Sequence, residues 1–158
     1  IEYSLLARGI EPDILKTCRE LGIGITAYGV LARGLISGHW SKERSAAQDF
    51  RQMSPRFQGS NLDANLALVD SLRGIAGEVG ATPAQIAIAW VAAQGNDIVP
   101  LVGARRRDRL AEALRALDVK LTDAHLAALA KAFPPGVASG ERYPQSQLVH
   151  MDSEKGAA

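Results

Sequence analysis

The sequence predicts an α/β fold built on parallel strands. Two short apolar, β-branched runs, GIGITAY (22–28) and DIVPLV (97–102), stand between stretches of helical periodicity. Helix-start and helix-stop residues punctuate those stretches. The resulting order is strand, helix, strand, helices, strand, helices, which requires right-handed crossovers.

The elements follow in chain order. IEYSLL (Ile1–Leu6) is an apolar, strand-like opening. EPDILKTCREL puts Ile14, Leu15, Cys18 and Leu21 on one helical face, with Pro12 early in the helix and Gly22 as its stop. Gly22–Tyr28 is then a short buried strand. From Gly29 to about Ser60 the chain is irregular, and a connection that long inside a compact domain is usually functional or disordered.

Helical spacing resumes over Asn61–Gly80 through Leu62, Leu66, Val69, Leu72, Ala76 and Val79. Thr82, Pro83 and Gln85 supply a cap, a first helical residue and a capping-box partner. The helix they open, AQIAIAWVAAQ, is apolar nearly all round and is expected to be covered on most sides. Asp97–Val102 reads as a second buried strand, with Pro100 removing one backbone donor near its end. Gly103 ends it, and an arginine-rich helix follows with an apolar stripe of Leu110, Ala113, Leu114 and Leu117. A last helix opens at Thr122, with Leu126, Leu129 and Phe133 inward and Leu121 and Leu126 spaced as a hydrophobic staple. Pro134-Pro135-Gly136 stops it, leaving a polar tail, 134–158, expected to be loosely held.

A complete (β/α)8 barrel takes about 250 residues. The 158 residues here offer about three βα units, enough for part of a barrel or a small open sheet. Domains usually open on a loose polar segment. This chain begins inside an apolar run, so it is expected to be cut from a longer one.

Composition narrows the function classes. A net charge of +1 gives no support to a nucleic-acid or membrane-surface role. No apolar run reaches the roughly 20 residues of a membrane span, and no secretory signal opens the chain. The single cysteine, Cys18, leaves no internal disulfide, reads as core filler and fits a cytoplasmic location.

GIGITA (22–27) matches a dinucleotide fingerprint by letter, but a helix precedes it and a strand follows, the reverse of what that motif needs. There is no phosphate-loop, zinc or nucleophile-elbow motif, and His39, His125 and His150 lie far apart. His125 falls on the polar side of a first helical turn and reads as a surface residue.

The arginines are the local anomaly. Arg105, Arg106, Arg107 and Arg109 crowd a helix N-terminus, where each cation is disfavoured by roughly 0.3–1 kcal/mol. One reading is a solvated surface cluster. The other is a phosphate site, in which Gly103 admits a close approach, first-turn amides donate and guanidinium forks grip oxygens. Charge-assisted bonds of about 1.5–3 kcal/mol each would outweigh the dipole cost. Arg105, Arg109 and Glu112 share a helical face by spacing.

GIGITAYGVLARGLISG (22–38), DFR (49–51), PRF (55–57), TPAQIAIAWVAAQG (82–95) and IVPLVGARRRDRLAEAL (98–114) together resemble the aldo-keto reductase family, over Ile1 to about Phe133. The resemblance implies the C-terminal part of a (β/α)8 TIM barrel, from the sixth strand onward, incomplete as it stands. It implies an NADPH-dependent parent that interconverts small-molecule carbonyls and alcohols by hydride transfer. The family's catalytic Asp, Tyr, Lys and His match no motif here, so the chain is expected to carry no catalytic residue and to be inactive alone.

The resemblance assigns Tyr28 to stacking on the nicotinamide, and Gly29, Val30, Leu31 and Arg33 to the loop along the pyrophosphate. It assigns Gly103, Arg105, Arg109 and Glu112 to the adenosine 2′-phosphate and the adenine edge. Arg51 is expected to reach across the cofactor. Ala113 departs from the pattern, where an asparagine often assists adenine. A non-catalytic NADP(H)-binding or regulatory module is the alternative reading.

Overall fold

In the computed structural model, described over residues 1–41 and 50–150, two strands set the frame. β1 (Ile25–Ala27) pairs in parallel with β2 (Ile98–Pro100), in the register Ile25 to Ile98 and Ala27 to Pro100. Pro100 has no N–H to give, yet the pairing continues one residue further, where the Leu101 amide donates to Ala27 at 2.8 Å.

The opening run is not a strand. It makes a single parallel bridge, Glu2 to Tyr28, and then turns back on itself between Ser4 and Ala7. The Ser4 hydroxyl accepts from the Leu6 amide at 3.2 Å, which favours the turn over extension. Helix α1 is shorter than its periodicity suggested, Ile14–Glu20, with Pro12 outside it. Ile14, Leu15 and Cys18 pack on the core as expected, but Leu21 is exposed.

Between β1 and β2 the chain runs through α2 (Gly59–Val79) and α3 (Pro83–Ala92). α2 has the buried face read from its spacing, with the addition of a wholly buried Asn65. α3 carries the full capping box: the Thr82 hydroxyl accepts from the Gln85 amide, and the Gln85 side chain accepts from the Thr82 amide at 2.9 Å. It is the central helix, buried from Ala84 to Val91 and packed on β2 and α2. Its Trp90 ring lies 5.3 Å from that of Tyr3.

Helix α4 (Arg107–Leu114) corrects the expected orientation of its neighbourhood. An apolar stripe ordinarily faces the core. Here Leu110, Leu114 and Leu117 are 49%, 57% and 76% exposed, while Glu112, Ala113 and Ala116 turn inward. On β2, Val99 is also exposed, as is Leu101 just beyond it, so this strand is buried only at Ile98.

Helix α5 (Asp123–Ala132) starts at Thr122 as expected, with Leu129 and Phe133 wholly buried. The staple residues Leu121 and Leu126 both pack against the core. His125 is exposed, but it is not idle: its Nδ1 accepts from the Thr122 amide, completing a second capping box.

Over its described part, 134–150, the tail is held down, contrary to expectation, and includes a short α6 (Gln145–Leu148). Asn65 of α2 donates to the Ser139 and Arg56 carbonyls and accepts from the Ser139 amide at 2.8 Å. Residues 151–158 of the tail, and Asp49 of the DFR segment, lie outside the described residues.

Candidate functional site

A groove crosses the structure at the C-terminal ends of β1 and β2. One part, about 320 Å³, is lined by Gly29, Val30, Leu31, Arg33, Gly34, Phe50, Arg51, Leu101, Val102 and Gly103. A second part, about 180 Å³, runs past Ser37, His39, Ala84 and Ile88 to Arg109, Glu112 and Ala113. Leu31, Gly34, Val102 and Gly103 line both parts, so the two adjoin at the strand ends. Ligands of parallel α/β proteins sit at this end of the strands.

The floor at one end is the loop after β1. Gly29 has φ +69°, and a Cβ there would stand 2.9 Å from Cγ of Glu2, so glycine is required on two counts. Ala32 and Arg33 also have positive φ, 47° and 59°. Left-handed backbone at non-glycine residues is strained, and it persists where surrounding contacts fix it. Arg51 supplies one such contact, donating from Nε to the Arg33 carbonyl at 2.8 Å. Its guanidinium also lies over the Trp40 ring at 4.7 Å.

Tyr28 closes β1 and is exposed. Its phenol is pushed up to about 12 by partial burial, then by the neighbouring Tyr143 hydroxyl and the Glu2 carboxylate, with Arg142 opposing. At pH 7 it presents a neutral aromatic face.

At the other end, Glu112 is the hub. Arg109 donates to its carboxylate at 3.0 Å, and His39 Nε2 stands 3.2 Å away. Arg109 also contacts the same ring nitrogen, which therefore faces an acceptor and a donor at once and satisfies one of them in each tautomer. Burial alone would raise the Glu112 pKa, but hydrogen bonds from Arg109, Thr82 and His39 outweigh it and hold the carboxyl below its ordinary value. Gln85 anchors the backbone here, its amide donating to the Glu112 carbonyl at 3.1 Å.

Of the residues singled out from the sequence, Gly29, Val30, Leu31, Arg33, Gly103, Arg109 and Glu112 line the groove. Tyr28 stands beside it, next to Gly29. Arg105 does not share the Arg109–Glu112 face, because Arg106 is the N-cap and Arg105 precedes the helix altogether. Arg106 pairs instead with Asp108 at 2.9 Å.

Sequence reasoning missed His39 as a partner of Glu112 and Gln85 as a support for it. It also missed a buried ion pair between Glu2 and Arg142, 3.1 Å apart. The capping box was a usable signal for Gln85. Nothing local signalled the other two, whose partners are remote in the chain.

A dinucleotide cofactor fits this donor set. Gly103 faces both parts of the groove, and a Cβ on it would meet no protein atom within 4 Å, so a ligand can approach the backbone there. Arg33 and Arg51 line one part of the groove and Arg109 the other, so each part carries cationic side chains. No cluster of metal-ligating side chains occurs among the described residues. Among the described residues, no single helix is long and apolar enough to cross a membrane.

A model of the aldo/keto reductase family matches residues 1–133. The chain is similar to a protein described as probable aldo-keto reductase 1 from Glycine max, 42% identical over 143 residues, covering 90% of this chain and 41% of that one. A solved glycerol dehydrogenase from Gluconobacter oxydans aligns with a TM-score of 0.78 at 29% identity, over 85% of this chain and 42% of its own. A thermostable aldo-keto reductase solved with the inhibitor epalrestat aligns at 0.59 and 26% identity, over 84% and 38%. The chain spans about two fifths of the length of the relatives it matches.

Proposed function

Because the chain belongs to the aldo/keto reductase family, we propose that it is the cofactor-holding, later part of the barrel of an NADPH-dependent carbonyl reductase. Residues 1–133 contribute late βα units of a (β/α)8 barrel, and 134–158 are the tail that follows them, packed on that part over 139–143. The observation that carries this reading is the pair of adjoining cavities, one lined by Gly29 to Leu31 and Arg33 and the other by Arg109 and Glu112, with Gly103 in the wall of both.

Bound NADPH would supply a hydride to a small carbonyl substrate. The residues of this chain bind and orient that cofactor. Tyr28 offers a neutral aromatic face to a planar ring. Backbone of the Gly29–Leu31 turn and the Arg33 guanidinium flank the pyrophosphate. Arg109 neutralises the 2′-phosphate, with Glu112 fixing the Arg109 fork and facing the adenine edge. Arg105, outside the groove lining, acts at most from the solvent side. The proton-donating machinery lies on segments outside this sequence, so residues 1–158 alone bind cofactor without turnover. The protein works in the cytoplasm.

The test is cofactor affinity in the full-length protein. Wild type is expected to prefer NADPH to NADH. Arg109→Ala should weaken NADPH about tenfold or more, from the loss of one charge-assisted contact, and leave NADH nearly unchanged. Arg105→Ala should have the smaller effect. Equal affinities for the two cofactors, unmoved by either substitution, would rule out the 2′-phosphate assignment.

A further inference from the structure

The segment beyond the family match, 139–148, makes contacts that a surface tail does not need. Arg142 and Glu2 form an ion pair in which both residues are nearly inaccessible, 5% and 4% exposed. The Tyr143 hydroxyl donates to the same Glu2 oxygen at 3.1 Å. Glu2 in turn lies directly under Gly29. The segment therefore reaches the start of the cofactor loop through one side chain.

It reaches the end of that loop through another. The Arg33 guanidinium lies over the Tyr143 ring at 4.1 Å and donates to the Arg142 carbonyl at 3.2 Å. Arg33 has four rotatable side-chain bonds and a left-handed backbone, so without these contacts its guanidinium would sample many poses. Ser139 roots the segment on α2 through Asn61 and Asn65, and the Gly140 carbonyl accepts from Arg56 Nε at 3.1 Å.

We propose that residues 139–148 are a strap that sets the pose of Arg33 for the cofactor, with Tyr143 as the positioning residue and the Arg142–Glu2 pair as its anchor. This rests on the reading of Arg33 as a pyrophosphate contact. Tyr143 touches no reacting atom; it acts through Arg33, by holding the cation against an aromatic face while leaving its remaining N–H groups for the ligand.

The test uses the full-length protein and NADPH binding followed by fluorescence, with thermal unfolding as a check on folding. Arg142 is a poor target, because removing it strands a buried carboxylate. Tyr143→Leu removes the ring, whereas Tyr143→Phe keeps it and loses only the hydroxyl. Tyr143→Leu should weaken NADPH about fivefold, the lower range of a cation–π contact. Tyr143→Phe should restore affinity to within twofold of wild type. In an Arg33→Ala background, Tyr143→Leu should add nothing.

Three outcomes overturn the strap. Tyr143→Leu may bind as wild type does while Arg33→Ala is weakened; that defeats the strap alone. Tyr143→Leu may cost as much with Arg33 absent as with it present, which makes the tyrosine's effect independent of Arg33. Arg33→Ala may bind NADPH as tightly as wild type, which defeats the pyrophosphate contact and the strap together.

Discussion

Replacing Asn65 with alanine should loosen the C-terminal segment on α2, leaving the Ser139 hydroxyl bond to Asn61 as its remaining side-chain tie to that helix. Its side chain is wholly buried and makes three bonds to main chain: Nδ2 to the Arg56 carbonyl at 3.0 Å, Nδ2 to the Ser139 carbonyl at 2.9 Å, and Oδ1 from the Ser139 amide at 2.8 Å. At about 1 kcal/mol net for each bond the loss is about 3 kcal/mol, more if the abandoned backbone groups stay dry. That is a large part of the 5–15 kcal/mol that typically holds a domain together. Urea unfolding of the full-length protein measures it as a lowered midpoint at unchanged slope. Asn65→Asp sharpens the test, since it keeps the acceptor for Ser139 but sets a carboxylate oxygen against two carbonyls. It should be at least as damaging as alanine. A loss below about 1 kcal/mol for alanine, or an aspartate variant milder than it, would refute the bonding scheme.

Gly29→Ala should cost about 1–2 kcal/mol for the left-handed backbone alone, with a further loss from the contact against Glu2, read as a fall in thermal midpoint; an unchanged midpoint contradicts the geometry. Glu112 gives a pH signature. Its folded carboxyl titrates below the ordinary value of 4.5, so its contribution is complete above that pH and disappears as pH falls through the lower folded value. Wild type should accordingly exceed Glu112→Gln in stability near neutral pH, and the gap should close only below about pH 4.5; a gap constant across that range would show that the charge contributes nothing.

Local chemistry was legible in the sequence and long-range geometry was not. Thr82 with Gln85, and Thr122 ahead of α5, announced helix starts that the structure keeps, because a cap is decided within four residues. Periodicity revealed a stripe at Leu110, Leu114 and Leu117 but not which way it faces. Glu112, drawn inward by Arg109 and His39, took the inner side instead. The pairing of Arg105 with Arg109 assumed a helix that begins two residues too early. His39 and Glu112 are 73 residues apart, and Tyr143 and Glu2 are 141 apart, so only the folded chain brings them together.

The Glu2–Arg142 pair also has a consequence in time. Arg33 and its carbonyl partner Arg142 are separated by 109 residues, which a ribosome adding about 5–20 residues per second takes roughly 5–20 s to cover. Through that interval the nascent loop has its glycines and the Arg51 contact to the Arg33 carbonyl, but not the carbonyl and ring that hold the Arg33 guanidinium. Glu2 meanwhile waits in water, and its burial is deferred until the matching cation emerges. These contacts therefore close only after every lining residue of the groove has been made, and they depend on residues that contribute no atom to that lining.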